Sequence, residues 1–295
     1  MALVIRPFSG YMVDSFPRKT VLVVCGALFF SIFVGYIVAG SLAAFAIFRT
    51  LHGAPFGATT VAASTVAIDV VPSSRRGEAI GYYGLSNNLA MALGPALAIV
   101  LLGAFGGSYK ALFWVSLAAS FIGLILELSI RLPKRDFVTE KKVLSLDRFF
   151  LLHGWREAIG IACFAFSYGV ISTYVAIYGK EELGITGGTG LFFGLCAAGL
   201  ILSRLTGAHA LRENKVSRNA TMGVSVSIFG YLLFAALHNP IGYYGAALII
   251  GLGNGHMYPA FQTMFINLAE HSQRGTANSS ILTSWDAGVG LGVLI

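Results

Sequence analysis

The chain has 295 residues, 56% of them hydrophobic and 11% charged, with a formal net charge of +7; an average soluble domain carries roughly 25% charged residues. A water-soluble core of this length cannot hide so much apolar surface, so the composition excludes an ordinary soluble enzyme or binding module and predicts a membrane protein counted in spans. Unpaired backbone groups are costly in hydrocarbon, which leaves helices or a closed barrel; the short alternating strands of a barrel are missing from the pattern, so the spans are helices.

In chain order, residues 1–8 read as the last turns of a span, and the charged stretch "RPFSGYMVDSFPRK" at 6–19 reads as turn-like. Uncharged runs then predict complete helices near 20–40, 42–67, 79–102, 111–130, 154–178, 189–208, 219–237 and 241–267, and 277–295 reads as a span that stops before its exit. Both ends are therefore expected to be cut, and no signal peptide is recognisable at Met1. Cys25, Cys163 and Cys196 each fall inside a predicted helix without metal-ligand spacing and read as small buried apolar residues.

Lys and Arg collect on the cytoplasmic side of membrane proteins. With alternating loops, seventeen basic residues fall on one side, Lys110 and Lys180 on the other, and Arg49 inside a span, which accounts for all 20. The basic balance is thus topological and gives no argument for nucleic acid. The polar connector from Arg131 to Arg156 carries seven basic residues and predicts a division into an N-terminal bundle at 1–130, a cytoplasmic central loop at 131–153 and a C-terminal bundle at 154–295.

Sliding the chain by 198 residues aligns Gly53 with Gly251, Gly57 with Gly255, Arg76-Gly77 with Arg274-Gly275, and Gly94 with Gly292. Without a gap, 12 of the 45 positions from 53 to 97 are identical at that offset. The halves therefore read as parallel repeats of six helices each. Extended to both borders, the offset predicts a twelve-span parent whose first and last helices are lacking here, with about 45 residues absent before Met1.

"GYMVDSFPRK" resembles the signature after the second helix of the major facilitator superfamily, roughly G-x-x-x-D-R-x-G-R-R/K. Gly10, Asp14, Arg18 and Lys19 match it, while Ser15 and Pro17 replace the usual Arg and Gly. Arg49 followed by His52-Gly53, and Gly94-Pro95, are further family-like features. The resemblance implies two pseudo-symmetric six-helix bundles, an all-α polytopic fold truncated at both ends. It also implies a conformational latch at Gly10, Asp14, Arg18 and Lys19, with Asp14 accepting from the amides of a helix starting near Thr276. There the unpaired N–H groups and the macrodipole favour an anion. Arg18 and Lys19 are expected to stay in the aqueous interface and hold the loop by ion pairing.

Charges inside a span are expensive and face a cavity or a partner. Arg49 lies roughly 10 Å below the outer end of its span, and the resemblance implies proton coupling or a hold on an anionic part of the substrate. Asp286 falls near the bilayer midplane, where an ionised acid is costly, as a proton carrier requires; the repeat pairs it with Asn88. In "GLGNGHMYPAFQ" the helical angle puts Gly251, Asn254, Gly255, Tyr258 and Gln262 on one stripe and His256 on another. Asn87 and Asn88 are further substrate candidates, as amides in a span need partners. Gly53, Gly57, Gly94, Gly251 and Gly255 permit close packing, and Pro95 and Pro259 imply kinks or hinges.

These readings predict a secondary transporter of a small organic solute, of sugar or drug type, exporting it against proton entry by rocking two bundles about a midplane site. It is expected to work as a monomer in a bacterial inner membrane, with substrate, protons and lipid as partners and without cofactor or metal. An uptake symporter is the runner-up. A membrane-embedded enzyme is disfavoured, because no H-E-x-x-H or paired-acid spacing appears. A structural or sensory membrane protein is the remaining alternative.

Overall fold

The computed structural model describes residues 1–132, 145–212 and 215–295; residues 133–144 of the expected central loop lie outside the described residues. Among the described residues ten α-helices follow one another: α1 Ala2–Ser15, α2 Arg18–Val38, α3 Leu42–Asp69, α4 Arg76–Ala104, α5 Tyr109–Ser129, α6 Trp155–Glu181, α7 Thr189–Arg212, α8 Val216–Ala236, α9 Pro240–Leu268 and α10 Arg274–Val293. Short 3-10 turns at Ser73–Arg75, Leu146–Arg148, Leu152–Gly154 and His271–Gln273 lead into or between them.

The ends of the helices follow from local chemistry. Phe16 is extended because it precedes Pro17, whose ring disfavours an α conformation in its neighbour, and this stops α1. Ser41 and Ser108 cap α3 and α5 by accepting from the amides of Ala44 and Ala111. Gly106 and Gly107 supply the positive φ that the turn between α4 and α5 requires. The expectation of a turn-like stretch at 6–19 is corrected: α1 stays helical through Asp14, and only Phe16-Pro17 breaks it. Ser9 remains in the helix by donating its hydroxyl to Ile5 O at 2.8 Å.

Two compact units are present. The first comprises residues 1–70, 95–155 and 268–283. Its core joins Val13 of α1, Val21 and Leu22 of α2, and Ala58, Val61, Ala62 and Val66 of α3. The helix α5 lies along α2 and buries none of its own residues, so Phe121, Ile125 and Leu126 present an outward apolar face. The second unit comprises residues 71–94, 156–267 and 284–295, around Phe192, Tyr243, Ala246, Ala247 and Ile250. Its helices approach closely at glycines. A Cβ at Gly251 would overlap Cys196 of α7, and one at Gly253 would overlap Ser227 of α8.

By length and composition, α2, α5, α8 and the segment Leu152–Glu181 that contains α6 are apolar enough to cross a membrane. Thr189–Ser203 of α7 is a shorter apolar stretch. Cys25 and Cys196 are buried, whereas Cys163 is exposed, which corrects its expected burial; it sits on an outward face of α6.

Candidate functional site

The first turn of α10 is met by a carboxylate from α1. Asp14 Oδ1 accepts from the Gly275 amide at 2.8 Å, and Asp14 Oδ2 accepts from the Thr276 amide at 2.8 Å and from the Thr276 hydroxyl at 2.9 Å. These amides belong to the four that a helix leaves without intrahelical partners, and the macrodipole favours an anion there. The Asp14 side chain is only 6% exposed, so its charge depends on these donors and on Arg18 at 3.6 Å.

Glycine makes the approach possible. A Cβ at Gly10 would sit 2.6 Å from Ser279 Cβ, and a Cβ at Gly275 would sit 2.7 Å from Gly10 O and 2.8 Å from Asp14 Oδ1. Ser279 then donates to Arg6 O at 2.7 Å, and Asn278 donates to Thr65 Oγ1 at 3.0 Å, tying α10 to α1 and α3.

Asp69, at the end of α3, was missed by the sequence reading. It pairs with Arg18 of α2 and, at 3.0 Å, with Arg274 of α10. The signal was one acid at the end of a long uncharged run, among cytoplasmic cations. Arg18 departs from the aqueous position expected for it: its side chain is 3% exposed and sits between Asp14 and Asp69. Lys19 is half-buried, and it donates to Leu128 O at 2.8 Å, where a cation suits the carbonyl end of α5.

Higher in the first unit, Arg49 lines a cavity of about 680 Å³ with Phe29, Phe33, Tyr36, Phe45 and His52, and Met1 and Ala2 form one wall. His52 Nδ1 lies 2.8 Å from the Tyr36 hydroxyl, and its ring packs on Phe29. Gly53 and Gly57 abut Ala2, so these glycines set the spacing of α1 and α3.

In the second unit the stripe on α9 divides. Asn254 is buried and accepts from the Ser227 hydroxyl at 3.4 Å, and Gln262 is also buried. Tyr258 is half-buried and meets Trp285 of α10 edge-on at 5.3 Å, while Tyr168 of α6 lies 5.7 Å from the same indole. Asp286 follows Trp285 and is half-buried. His256 is 1% exposed and clasped to α8: its Nδ1 lies 2.9 Å from Asn219 Oδ1, and Asn219 Nδ2 donates to His256 O at 3.2 Å. Gly255 abuts Ser203 of α7, and Pro259 sits inside α9 without interrupting it. On α4, Asn87 is exposed, a Cβ at Gly94 would meet nothing within 4 Å, and the side chains of Asn88 and Pro95 lie outside the described ones. Among the described residues no group of three or more His, Cys, Asp or Glu could hold a metal ion.

Against known proteins, residues 1–293 match the family model of the Major Facilitator Superfamily. The chain is 27% identical over 315 residues to an uncharacterised transporter of that type from Pseudomonas aeruginosa, covering 98% of this chain and 72% of the relative. It is 27% identical over 123 residues to the Bacillus subtilis transporter YcnB, covering 42% of this chain and 26% of the relative. Among solved structures, FucP in its outward conformation superposes with a TM-score of 0.78 at 16% identity, covering 98% of this chain and 78% of FucP. The human organic anion transporter MFSD10 gives a TM-score of 0.78 at 16% identity, covering 99% and 74%.

Proposed function

This chain belongs to the major facilitator superfamily and is an integral membrane transporter rather than an enzyme, and we propose that it moves a small organic solute of sugar or drug type against proton entry. Transport follows from alternating access, with α1 and the first turn of α10 joined in one state and parted in the other. The observation that carries this reading is the cap that Asp14 places on Gly275 and Thr276. A charge-assisted cap between two helices is worth enough to set a population and little enough to be broken in a cycle, since about 1.4 kcal/mol already changes a two-state ratio tenfold.

Within this reading Gly10, Asp14, Arg18 and Lys19 form the latch, with Asp69 added to it. Arg49 and Asp286 are the coupling candidates, and Tyr258 and Asn87 offer half-buried or exposed polar contacts for substrate. Asn254, Gln262 and His256 act through packing of α9 on its neighbours. The test is proton flux in proteoliposomes carrying a lumenal pH dye, challenged with panels of sugars and of lipophilic drugs under an imposed pH gradient. Solute-dependent proton movement opposite to the solute supports the reading, and movement in the same direction identifies a symporter. Binding of solutes without any flux would identify a sensory role instead.

A further inference from the structure

The segment Leu146–Leu152 reaches the corner between α1 and α10 and has two unlike faces. One is polar and bound to the α10 side at three points. Gln273 Nε2 donates to Asp147 Oδ2 at 3.1 Å, the Thr276 hydroxyl donates to Arg148 O at 2.9 Å, and the Leu151 amide donates to Ser280 Oγ at 2.8 Å. Asp147 Oδ1 also accepts from the Leu152 amide at 2.9 Å, which closes the segment on itself, and Leu151 is 1% exposed. Its chain continues through the turn Leu152–Gly154 directly into α6.

The other face is aromatic and turned to α1. The Phe149 ring stacks on Tyr11 at 5.3 Å and 25°, and meets Phe8 nearly edge-on at 5.6 Å. The Arg148 guanidinium lies 5.1 Å from the centroid of the Tyr11 ring. The three hydrogen bonds on the α10 side anchor the backbone and one side chain of the segment at fixed geometry, whereas the α1 side is held by side-chain ring contacts of about 0.5–1.5 kcal/mol each. The aromatic seam is therefore the one assigned to part.

We propose that Leu146–Leu152 is a strap carried by α10, and that Phe149 must leave Tyr11 and Phe8 before α1 and α10 can part, making it a second lock beside Asp14. The inference rests on the alternating-access reading above. Thr276 links the two locks: its hydroxyl oxygen lies 2.9 Å both from Asp14 Oδ2 and from Arg148 O, so one proton is shared between two acceptors. When Asp14 withdraws, that proton passes wholly to Arg148 O, so the strap is held more firmly by α10 as α1 departs.

Ala277, in the first turn of α10, is fully buried, and a thiol introduced there reports the parting. In a Cys163→Ser, Ala277→Cys protein in proteoliposomes, the rate of N-ethylmaleimide labelling at position 277 should rise roughly two- to tenfold on Phe149→Ala, the range expected of an aromatic pair. Phe149→Tyr should restore the original rate, which a merely structural loss would not permit. A disulfide between Tyr11→Cys and Phe149→Cys should suppress labelling until reduced, whereas one between Leu151→Cys and Ser280→Cys should leave it unchanged, because both ends ride with α10. If Phe149→Ala leaves the rate unchanged while Asp14→Asn raises it, the strap is passive and the proposal fails alone. If neither substitution changes the rate, the alternating-access reading fails with it. Should Phe149→Ala not fold, labelling that proceeds at the normal rate with the Tyr11 and Phe149 positions joined overturns the proposal.

Discussion

Asp14 and Thr276 are joined twice, through the Thr276 amide at 2.8 Å and its hydroxyl at 2.9 Å, both on one carboxylate oxygen. The other oxygen takes the Gly275 amide. One side chain thus satisfies two helix-end amides and one hydroxyl on α10, and a single substitution removes the charge common to all three contacts.

Gly275→Ala tests whether the close approach is required. The added Cβ would stand 2.7 Å from Gly10 O and 2.8 Å from Asp14 Oδ1, and neither backbone can retreat freely. Overpacking of this kind costs about 1–3 kcal/mol, and the expected result is a lower melting temperature. Gly123→Ala, in open space on α5, should be neutral or stabilising, since alanine is the better helix former by about 1 kcal/mol. Equal melting temperatures for the two variants would show that the corner tolerates separation.

Asp69→Asn should be more damaging than its exposure implies. It removes the acid between Arg18 and Arg274 and leaves the Arg18 guanidinium buried without that partner. Breaking a buried pair from one side costs about 3–5 kcal/mol, whereas replacing both members by apolar residues is often near neutral. Thermal unfolding of Asp69→Asn against the double variant Arg18→Met, Asp69→Leu measures this, and a single variant as stable as the wild type contradicts it.

His256 is expected to act as a packing residue. Its clasp with Asn219 fills both groups of the amide, so Asn219→Ala should destabilise the second unit by about 1–3 kcal/mol through a buried group left unpaired. His256→Gln should retain the pH dependence of solute-driven proton flux. A variant that folds normally but loses that dependence would make His256 a coupling group.

Asp286→Asn is expected to abolish movement of solute against its gradient while preserving downhill exchange, because Asp286 is the half-buried acid of α10 beside Trp285. Equal amounts of folded wild type and variant in proteoliposomes, driven by a pH jump, make the comparison. If the variant still concentrates solute, coupling passes to Arg49.

The helices were legible because hydrocarbon demands long uncharged runs, whereas the caps at Ser41 and Ser108 and the positive φ of Gly106 and Gly107 emerge from the structure. Helix α1 was misread because Ser9, Gly10 and Asp14 are turn formers in isolation. Here Gly10 serves the approach to Ser279, and Asp14 serves a helix far along the chain. The chemistry of Asp14 could be argued from its motif, since an acid at a helix N-terminus has a physical reason. Asp69, Phe149 and Trp285 carry no local signature; their roles come from partners on other helices. His256 was placed on its own face of α9 by helical angle, but its partner on α8 could not be read from one helix.

The most direct test of the account is the distance between α1 and α10 at the corner they share. Nitroxide labels at Phe16→Cys and Glu270→Cys, both exposed, in a Cys163→Ser background report that distance as a population of near and far states. Removing the Asp14 charge costs the cap roughly 0.3–2 kcal/mol, so Asp14→Asn should move the population toward the far state by roughly two- to thirtyfold. A distance distribution identical to that of the wild type, in folded protein, would contradict the claim that Asp14 holds α10.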